Sequence, residues 1–216
     1  MGISVKWLGH SGVQIKADGK NVYVDLEKSC KPTDKADIIL VTHSHSDHCD
    51  PDKIKEVRRP DTVIIAPADC ASKIGGRVQS LKPGAETAIG DIRVRAVEAY
   101  NVKRFRAPGQ PFHPKGLGVG YLITAQGKTI YHAGDTDFIP EMKQLGGSVD
   151  VALLPTGGTY TMENDDAADA AIAVNPKAAI AIHTWGKPVD SFQRKVQAGS
   201  RTKVVMLREG EEYRVP

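Results

Sequence analysis

Residues 38–48 read IILVTHSHSDH, an apolar run followed by three histidines and one aspartate within six positions. A short run with no polar alternation predicts a strand buried on both faces. Neutral imidazole and carboxylate are the ligands that divalent metals such as zinc prefer. In a loop leaving the strand, His43 and His45 are two residues apart and face the same way, with Asp47 and His48 following on the turn. The stretch therefore predicts a metal site at a strand end, with a geometry that suits two neighbouring ions better than one.

The composition is that of a soluble globular protein, with 40% hydrophobic and 25% charged residues in a chain of 216. This length allows one substantial core, so we expect a single domain over residues 1–216. A net charge of +3 is too small to predict nucleic-acid binding. The longest apolar runs fall far short of the roughly 20 residues of a membrane span, so we expect no membrane partner.

The three cysteines, Cys30, Cys49 and Cys70, are odd in number and unevenly spaced. This pattern argues against a disulfide framework and favours a reducing, cytoplasmic location. The N-terminus also lacks the apolar core of a signal peptide. The sequence leaves the oligomeric state open, including a homo-oligomer.

Hydrophobic periodicity and turn residues place the secondary structure. The early strands follow one another with few helices, whereas the later ones alternate with helices, which is the pattern of two packed sheets with helices outside. We therefore predict an α/β protein with a four-layer αββα sandwich. The predicted strands are 3–8, 13–16, 21–26, 38–41, 62–66, 77–81, 88–89, 92–99, 119–124, 128–132, 149–154, 178–183, 203–207 and 212–215, and the predicted helices are 52–58, 68–74, 140–145, 165–174 and 190–198.

Three more strands end in side chains that suit a metal centre. Asp135 follows the strand 128–132 and a glycine turn, and its two carboxylate oxygens are suited to bridging two ions. His183 ends an apolar strand as a candidate ligand. Asp25 ends another, and metal-bound imidazoles usually donate their second ring N–H to a group of this kind. We expect Asp25 to orient a ligand.

The sequence resembles the metallo-β-lactamase-fold hydrolases over nearly the whole chain. The resemblance is carried by these segments: Gly9-His10-Ser11, Val24-Asp25, the His-x-His-x-Asp-His motif of residues 43–48, Tyr131-His132-Ala133-Gly134-Asp135-Thr136 and the late His183. Within that superfamily the chain is most similar to a compact branch of metal-dependent hydrolases, related to lactonases that act on ascorbate 6-phosphate.

The resemblance implies a metallo-β-lactamase fold and a two-metal hydrolytic centre, with zinc as the expected metal and manganese or iron as alternatives. By the same resemblance, His43 and His45 would bind the first ion. Asp47, His48 and His183 would bind the second, and Asp135 would bridge the two.

The family usually supplies one more histidine to the first ion, and the strand 92–99 and its end contain none. The third ligand is therefore open between Glu98, Asn101, His113 and none. His113 lies in the long loop 101–118 and is our expected active-site residue, bound either to metal or to substrate.

Two ions that share a water lower its pKa towards neutrality, so the expected nucleophile is a bridging hydroxide that cleaves an ester, lactone or phosphoester bond. Asp47 is placed to orient that hydroxide or to accept its proton. His132, three residues before Asp135, is either a supporting group next to the ligands or a buried structural histidine.

The basic loop 101–118 is the best indication of the substrate. Loops of this length are often functional lids, and this one carries Lys103, Arg104, Arg106 and Lys115. Fixed cations beside a hydrolytic centre favour an anionic small-molecule substrate. We therefore expect Arg104 and Lys115 to bind it, although a solvated basic loop explains the same residues equally well.

Two other functions fit parts of the pattern. Similar ligands hold iron in di-iron redox proteins, but such proteins usually carry a flavin domain for which this chain has no room. A non-catalytic binding protein that retains the fold is favoured only by the missing histidine near Glu98.

Overall fold

The computed structural model describes residues 2–216. Two seven-stranded mixed sheets form its centre. The first sheet has the order β16-β1-β2-β3-β4-β5-β6. Its strands are β1 (Ser4–Gly9), β2 (Gly12–Ala17), β3 (Lys20–Val24), β4 (Ile38–Leu40), β5 (Val63–Ile65), β6 (Val78–Gln79) and β16 (Glu212–Arg214).

The second sheet has the order β15-β14-β13-β12-β11-β8-β7. Its strands are β7 (Glu86–Ile89), β8 (Ile92–Ala99), β11 (Gly118–Ala125), β12 (Lys128–His132), β13 (Val151–Pro155), β14 (Ala178–Ile182) and β15 (Lys203–Val205). In each sheet an antiparallel part passes into a parallel part: β3 to β6 run parallel in the first, and β12 to β15 in the second. Because parallel strands need crossover connections, helices lie on the outer faces.

The helices are α1 (Pro51–Val57), α2 (Ala71–Ile74), α3 (Asn164–Val174) and α4 (Asp190–Gly199), with 3₁₀ turns at Ala68–Cys70 and Pro140–Leu145. The first begins at Pro51, one residue before its predicted start, because Asp50 accepts the N–H of Lys53 at 2.7 Å and Pro51 occupies the first turn. No helix among residues 2–216 is long and apolar enough to cross a membrane.

Three buried clusters define the layers. The central cluster draws inward-facing residues from both sheets, for example Val22 and Ile38 from the first and Tyr121 and Ile180 from the second. A second cluster lies between the second sheet and α3 and α4, and a third lies between the first sheet and α1 and α2. The predicted four-layer αββα sandwich is confirmed.

The loop 101–118, for which the sequence predicts no secondary structure, is not irregular throughout. It contains a small hairpin, β9 (Phe105–Ala107) with β10 (Gln110–Pro111). The carboxylate of Asp137 accepts the backbone N–H groups of Val102, Lys103 and Arg104 at 2.8, 2.7 and 3.1 Å. The base of the loop is therefore tied to the second sheet, which argues against a freely moving lid.

Candidate metal centre

The predicted ligands meet where strand ends from both sheets converge. The loop 42–48 follows β4, Asp135 follows β12, and His183 follows β14. Because parallel strands direct their carboxyl ends to one edge of a sheet, residues far apart in sequence are brought together there. His10, Asp25 and His183 all have left-handed backbones, with φ of 44°, 50° and 51°. Such conformations are uncommon outside glycine and cluster at functional sites.

One group of donors contains three histidines. Ligand atoms of His43, His45 and His113 lie within 4.8 Å of one another. His45 Nδ1 is 3.0 Å from His43 Nε2 and 3.3 Å from His113 Nε2. His113, one of the candidates for the third ligand, therefore lies beside His43 and His45. This favours His113 over Glu98 and Asn101 as the third ligand.

The two alternatives have other roles. Asn101 Oδ1 accepts the backbone N–H of His113 at 2.7 Å and lies 3.0 Å from its ring Nδ1. This contact leaves Nε2 of His113 facing the other histidines. Glu98 lies 3.5 Å from the ammonium of Lys115 and belongs to none of the donor groups found in residues 2–216.

The second group contains His10, Asp47, His48 and His183, again with ligand atoms within 4.8 Å of one another. His10 is not among the site residues that the sequence predicts. Its Nε2 is 3.1 Å from Asp47 Oδ2, and its ring centroid is 3.9 Å from that of His183. The only sequence signal was its position in Gly9-His10-Ser11 at a strand end, which does not distinguish it from a turn histidine.

Asp135 joins the two groups. Its Oδ2 lies 3.3 Å from His113 Nε2 and 3.2 Å from His183 Nε2, and its Oδ1 lies 3.4 Å from His48 Nε2. One carboxylate therefore touches donors of both groups, as expected of a bridging ligand. Gly134 permits the turn before it with φ of 66°, and a Cβ there would lie 2.8 Å from the carbonyl oxygen of Val119.

Asp25 lies against His48, the contact that its expected orienting role requires. Its Oδ2 is 2.7 Å from His48 Nδ1 and accepts the hydroxyl of Thr42, also at 2.7 Å. Its Oδ1 accepts the backbone N–H of Thr42 at 2.8 Å. Because Nδ1 of His48 faces Asp25, Nε2 is the nitrogen directed to Asp135.

His132 is a buried residue three positions before Asp135. Its Nε2 is 2.9 Å from the carbonyl oxygen of Ser11, and its Nδ1 accepts the backbone N–H of Gly134 at 3.2 Å. Both ring nitrogens are thus engaged with backbone groups. These contacts favour a buried structural histidine that holds the turn before Asp135, which is the second of the two roles expected from the sequence.

Two predicted substrate-binding cations lie elsewhere. Arg104 is paired with Asp137 at 3.2 Å and Asp166 at 2.5 Å. Lys115 is paired with Glu141 at 2.9 Å as well as with Glu98. Neither lines the cavity beside the donors. The expectation that they face substrate is corrected, because carboxylates distant in sequence neutralise them.

The electrostatics of the cluster suit a bound cation. Burial lowers the pKa of His43 well below its ordinary value and that of His113 to about 4, so both rings are neutral at pH 7. Burial would raise the pKa of Asp135, but the neighbouring His48 and His183 outweigh it and hold this pKa well below its usual range. For His48 the lowering by burial is outweighed by Asp135 and Asp25, and the pKa is raised well above its usual value. Positive charge is therefore favoured between these carboxylates.

The residues present also fit a metal by their unsatisfied atoms. Across residues 2–216, the buried atoms without a hydrogen-bond partner include His48 Nε2, Asp135 Oδ1 and His183 Nε2. Native proteins leave few buried polar atoms unpaired, and these three face one another. A set of imidazoles and carboxylates matches the ligand preference of zinc and related divalent metals.

The sequence is similar to proteins of a known family over most of its length. Residues 4–183 match the family model described as Beta-lactamase superfamily domain. The chain is 34% identical to a UPF0173 metal-dependent hydrolase of Geobacillus sp. (strain WCH70), covering 87% of this chain and 88% of that protein. It is 33% identical to another from Thermococcus kodakarensis, covering 97% and 98%.

Solved structures give the same result. A structure named as a metal-dependent hydrolase from Parabacteroides distasonis superposes with a TM-score of 0.88 at 33% identity, covering 97% of this chain and 94% of that one. A metallo hydrolase from Ignicoccus hospitalis has a TM-score of 0.81 at 22% identity, covering 99% and 98%, and shows the shared fold. The chain therefore belongs to the β-lactamase superfamily, within the family of UPF0173 metal-dependent hydrolases.

Proposed function

We propose that this protein is a hydrolase with two divalent metal ions, of which zinc is the expected one. His43, His45 and His113 would hold the first ion, Asp47, His48 and His183 the second, and Asp135 would contact both. The observation that carries the proposal is the position of Asp135, which lies 3.2–3.4 Å from donor atoms of both groups.

When bound, such ions supply Lewis acidity, which activates water near neutral pH and stabilises negative charge that develops on a substrate oxygen. The remaining chemistry belongs to the protein. Burial would raise the pKa of Asp47, but the hydrogen bond from His10 and the nearby His48 lower it below its usual range. A carboxylate of such low basicity is better suited to orienting a water molecule than to removing its proton, so we assign Asp47 the orienting role.

A cavity gives a small molecule access to the donors. Its volume is about 560 Å³, within the range of ordinary ligand pockets. His45, Asp47, Asp135 and His183 all line it. These contacts support a small-molecule substrate whose ester, lactone or phosphoester bond reaches the donor atoms.

Metal analysis combined with a hydrolysis panel tests the proposal. Protein purified without added metal is analysed for its elements, and wild type and His45→Ala are assayed with bis(p-nitrophenyl) phosphate and a simple lactone. About two equivalents of zinc, with turnover that His45→Ala abolishes, is the expected result, and the reacting probe identifies the bond class. Iron without turnover would instead support the redox alternative. Absence of both metal and turnover after zinc is restored would support a binding protein.

We also propose that residues 1–216 fold as one domain, because the central cluster draws on both sheets. One cooperative unfolding transition is the expected observation. The three cysteines are free and buried, which supports our proposal of a reducing, cytoplasmic location.

A further inference from the structure

Three aromatic side chains form one wall of the cavity, and we call them the aromatic wall: Phe112, Tyr160 and Trp185. The ring centroids of Phe112 and Tyr160 are 4.8 Å apart, and those of Tyr160 and Trp185 are 6.2 Å apart. The Trp185 ring in turn lies 5.5 Å from His183. The wall therefore runs from the loop 101–118 to the candidate metal centre without a break.

The wall is held in place although much of it faces solvent. Trp185 is 53% exposed, yet its backbone has φ of 53°, which bulky residues rarely adopt. Gly157 lies so close that a Cβ there would be 2.5 Å from Trp185 Cδ1. The amide of Asn101, whose oxygen orients His113, donates to the carbonyl oxygen of Tyr160 at 3.0 Å. An exposed aromatic held in strained backbone at a cavity is typical of a binding surface.

Arg106 supplies a positive charge at the other end of the wall. Its guanidinium carbon lies 5.6 Å from the centroid of the Phe112 ring, and the residue lines the cavity. The other cations of the loop are paired: Lys103 with Asp166 at 2.7 Å, and Arg104 and Lys115 as described above. Within the described residues 2–216, Arg106 has no carboxylate within salt-bridge distance. Its charge is free for a ligand.

We propose that the substrate is a small monoanion with a flat, apolar body, which lies against the aromatic wall while Arg106 binds its anionic group. This inference rests on the proposed hydrolase, since the wall leads to the donors at His183 where the bond would be cleaved. A guanidinium favours planar anions such as carboxylates, and aromatic faces favour flat apolar groups. Because Arg106 is the one cation of the loop 101–118 without a carboxylate partner, the site away from the metal centre matches a single negative charge.

Calorimetric titration of the zinc-loaded protein tests the proposal without requiring turnover. The probes are 2-naphthoate, which is flat and anionic, and 2-naphthamide, which is flat and neutral. We expect wild type to bind 2-naphthoate more tightly. Arg106→Ala should weaken 2-naphthoate binding roughly tenfold and leave 2-naphthamide unchanged, because it removes one charge-assisted contact. Tyr160→Ala should weaken both probes by about three- to tenfold.

Lys115→Ala is the matched control, because it removes a paired cation of the same loop and should change neither affinity. Equal 2-naphthoate binding by wild type and Arg106→Ala would overturn the proposal, since the anion would then be held by the metal ions alone. Failure of wild type to bind 2-naphthoate would also overturn it. If both probes bind as expected but neither bis(p-nitrophenyl) phosphate nor the lactone is hydrolysed, the monoanion site stands and the hydrolase is refuted. If the lactone is hydrolysed but Arg106→Ala does not change 2-naphthoate binding, the hydrolase stands and the monoanion site is refuted.

Discussion

Replacing Asp25 by asparagine should impair metal binding through the protonation of His48, with little change in shape. The backbone N–H of Thr42 needs an acceptor, so the amide oxygen of the new side chain must take the place of Oδ1. Its NH₂ group then replaces Oδ2, which lies 2.7 Å from His48 Nδ1. Two donors cannot face each other, so Nδ1 must give up its proton. The ring then keeps its one remaining proton on Nε2, the nitrogen directed at Asp135, where it blocks the atom that would bind a metal ion.

Two separate magnitudes follow from these contacts. Loss of an orienting partner typically lowers metal affinity by about 10- to 100-fold, or about 1.4–2.8 kcal/mol. Hydrogen bonds to a charged group contribute about 1.5–3 kcal/mol and neutral ones about 1 kcal/mol. Because Asp25 accepts two from Thr42, the metal-free variant should lose about 1–4 kcal/mol of unfolding free energy.

Zinc affinity is measured by competition with a chelator, and stability by urea unfolding of the metal-free protein. Asp150→Asn is the matched control. Asp150 also accepts a backbone N–H, from Thr129 at 2.8 Å, and pairs with Lys177 at 2.8 Å, but unlike Asp25 it contacts no member of either donor group. It should lose stability and keep its zinc affinity. If Asp25→Asn binds two zinc ions as tightly as wild type, the tautomer argument is refuted.

Three further predictions address the donor groups and a remote thiol. His113→Ala should lower the zinc content from about two ions to about one by elemental analysis after dialysis, and unchanged content would exclude His113 as a ligand. In His10→Asn, the asparagine tolerates the left-handed backbone, but its side chain is too short to reach Asp47. We expect turnover to fall by about 10- to 100-fold with an unchanged unfolding midpoint. Turnover equal to that of wild type would show that Asp47 needs no partner. Burial raises the pKa of the Cys30 thiol from 9.0 to about 11. The contribution of the neutral thiol to the free energy of unfolding is therefore complete below pH 9.0 and is lost as the pH rises through 11. Urea unfolding should show wild type losing up to about 3 kcal/mol relative to Cys30→Ala across that range, and parallel pH curves would contradict this.

The fold was predictable because its signals are local. The short apolar run of β4 and the N-cap of α1 by Asp50 each depend on a few consecutive residues. The ligands at the ends of β4, β12 and β14 could be placed by the same reasoning, since a strand end fixes where the next side chain lies. Whether they bind metal stays a prediction.

The parts that sequence reasoning missed depend on contacts between distant residues. His10 meets Asp47 across the first sheet, and nothing in its own loop indicates that contact. The cations of the loop 101–118 look equivalent in sequence, yet Asp137 and Asp166 neutralise Arg104. Only Arg106 then lines the cavity, a distinction that requires the partners of each charge.

The backbone N–H of His183 donates to the carbonyl oxygen of His10 at 2.8 Å, so the ends of the two sheets are joined directly at the donor cluster. Contacts between residues so far apart in sequence form late in folding, because the entropy of closing a long loop is lost before these contacts stabilise the chain. The complete donor set therefore does not exist in a partly folded chain, which carries only the local cluster of residues 43–48. Assembly of the site is a consequence of folding, and the time needed to dock the two sheets sets the earliest moment at which both ions can be held.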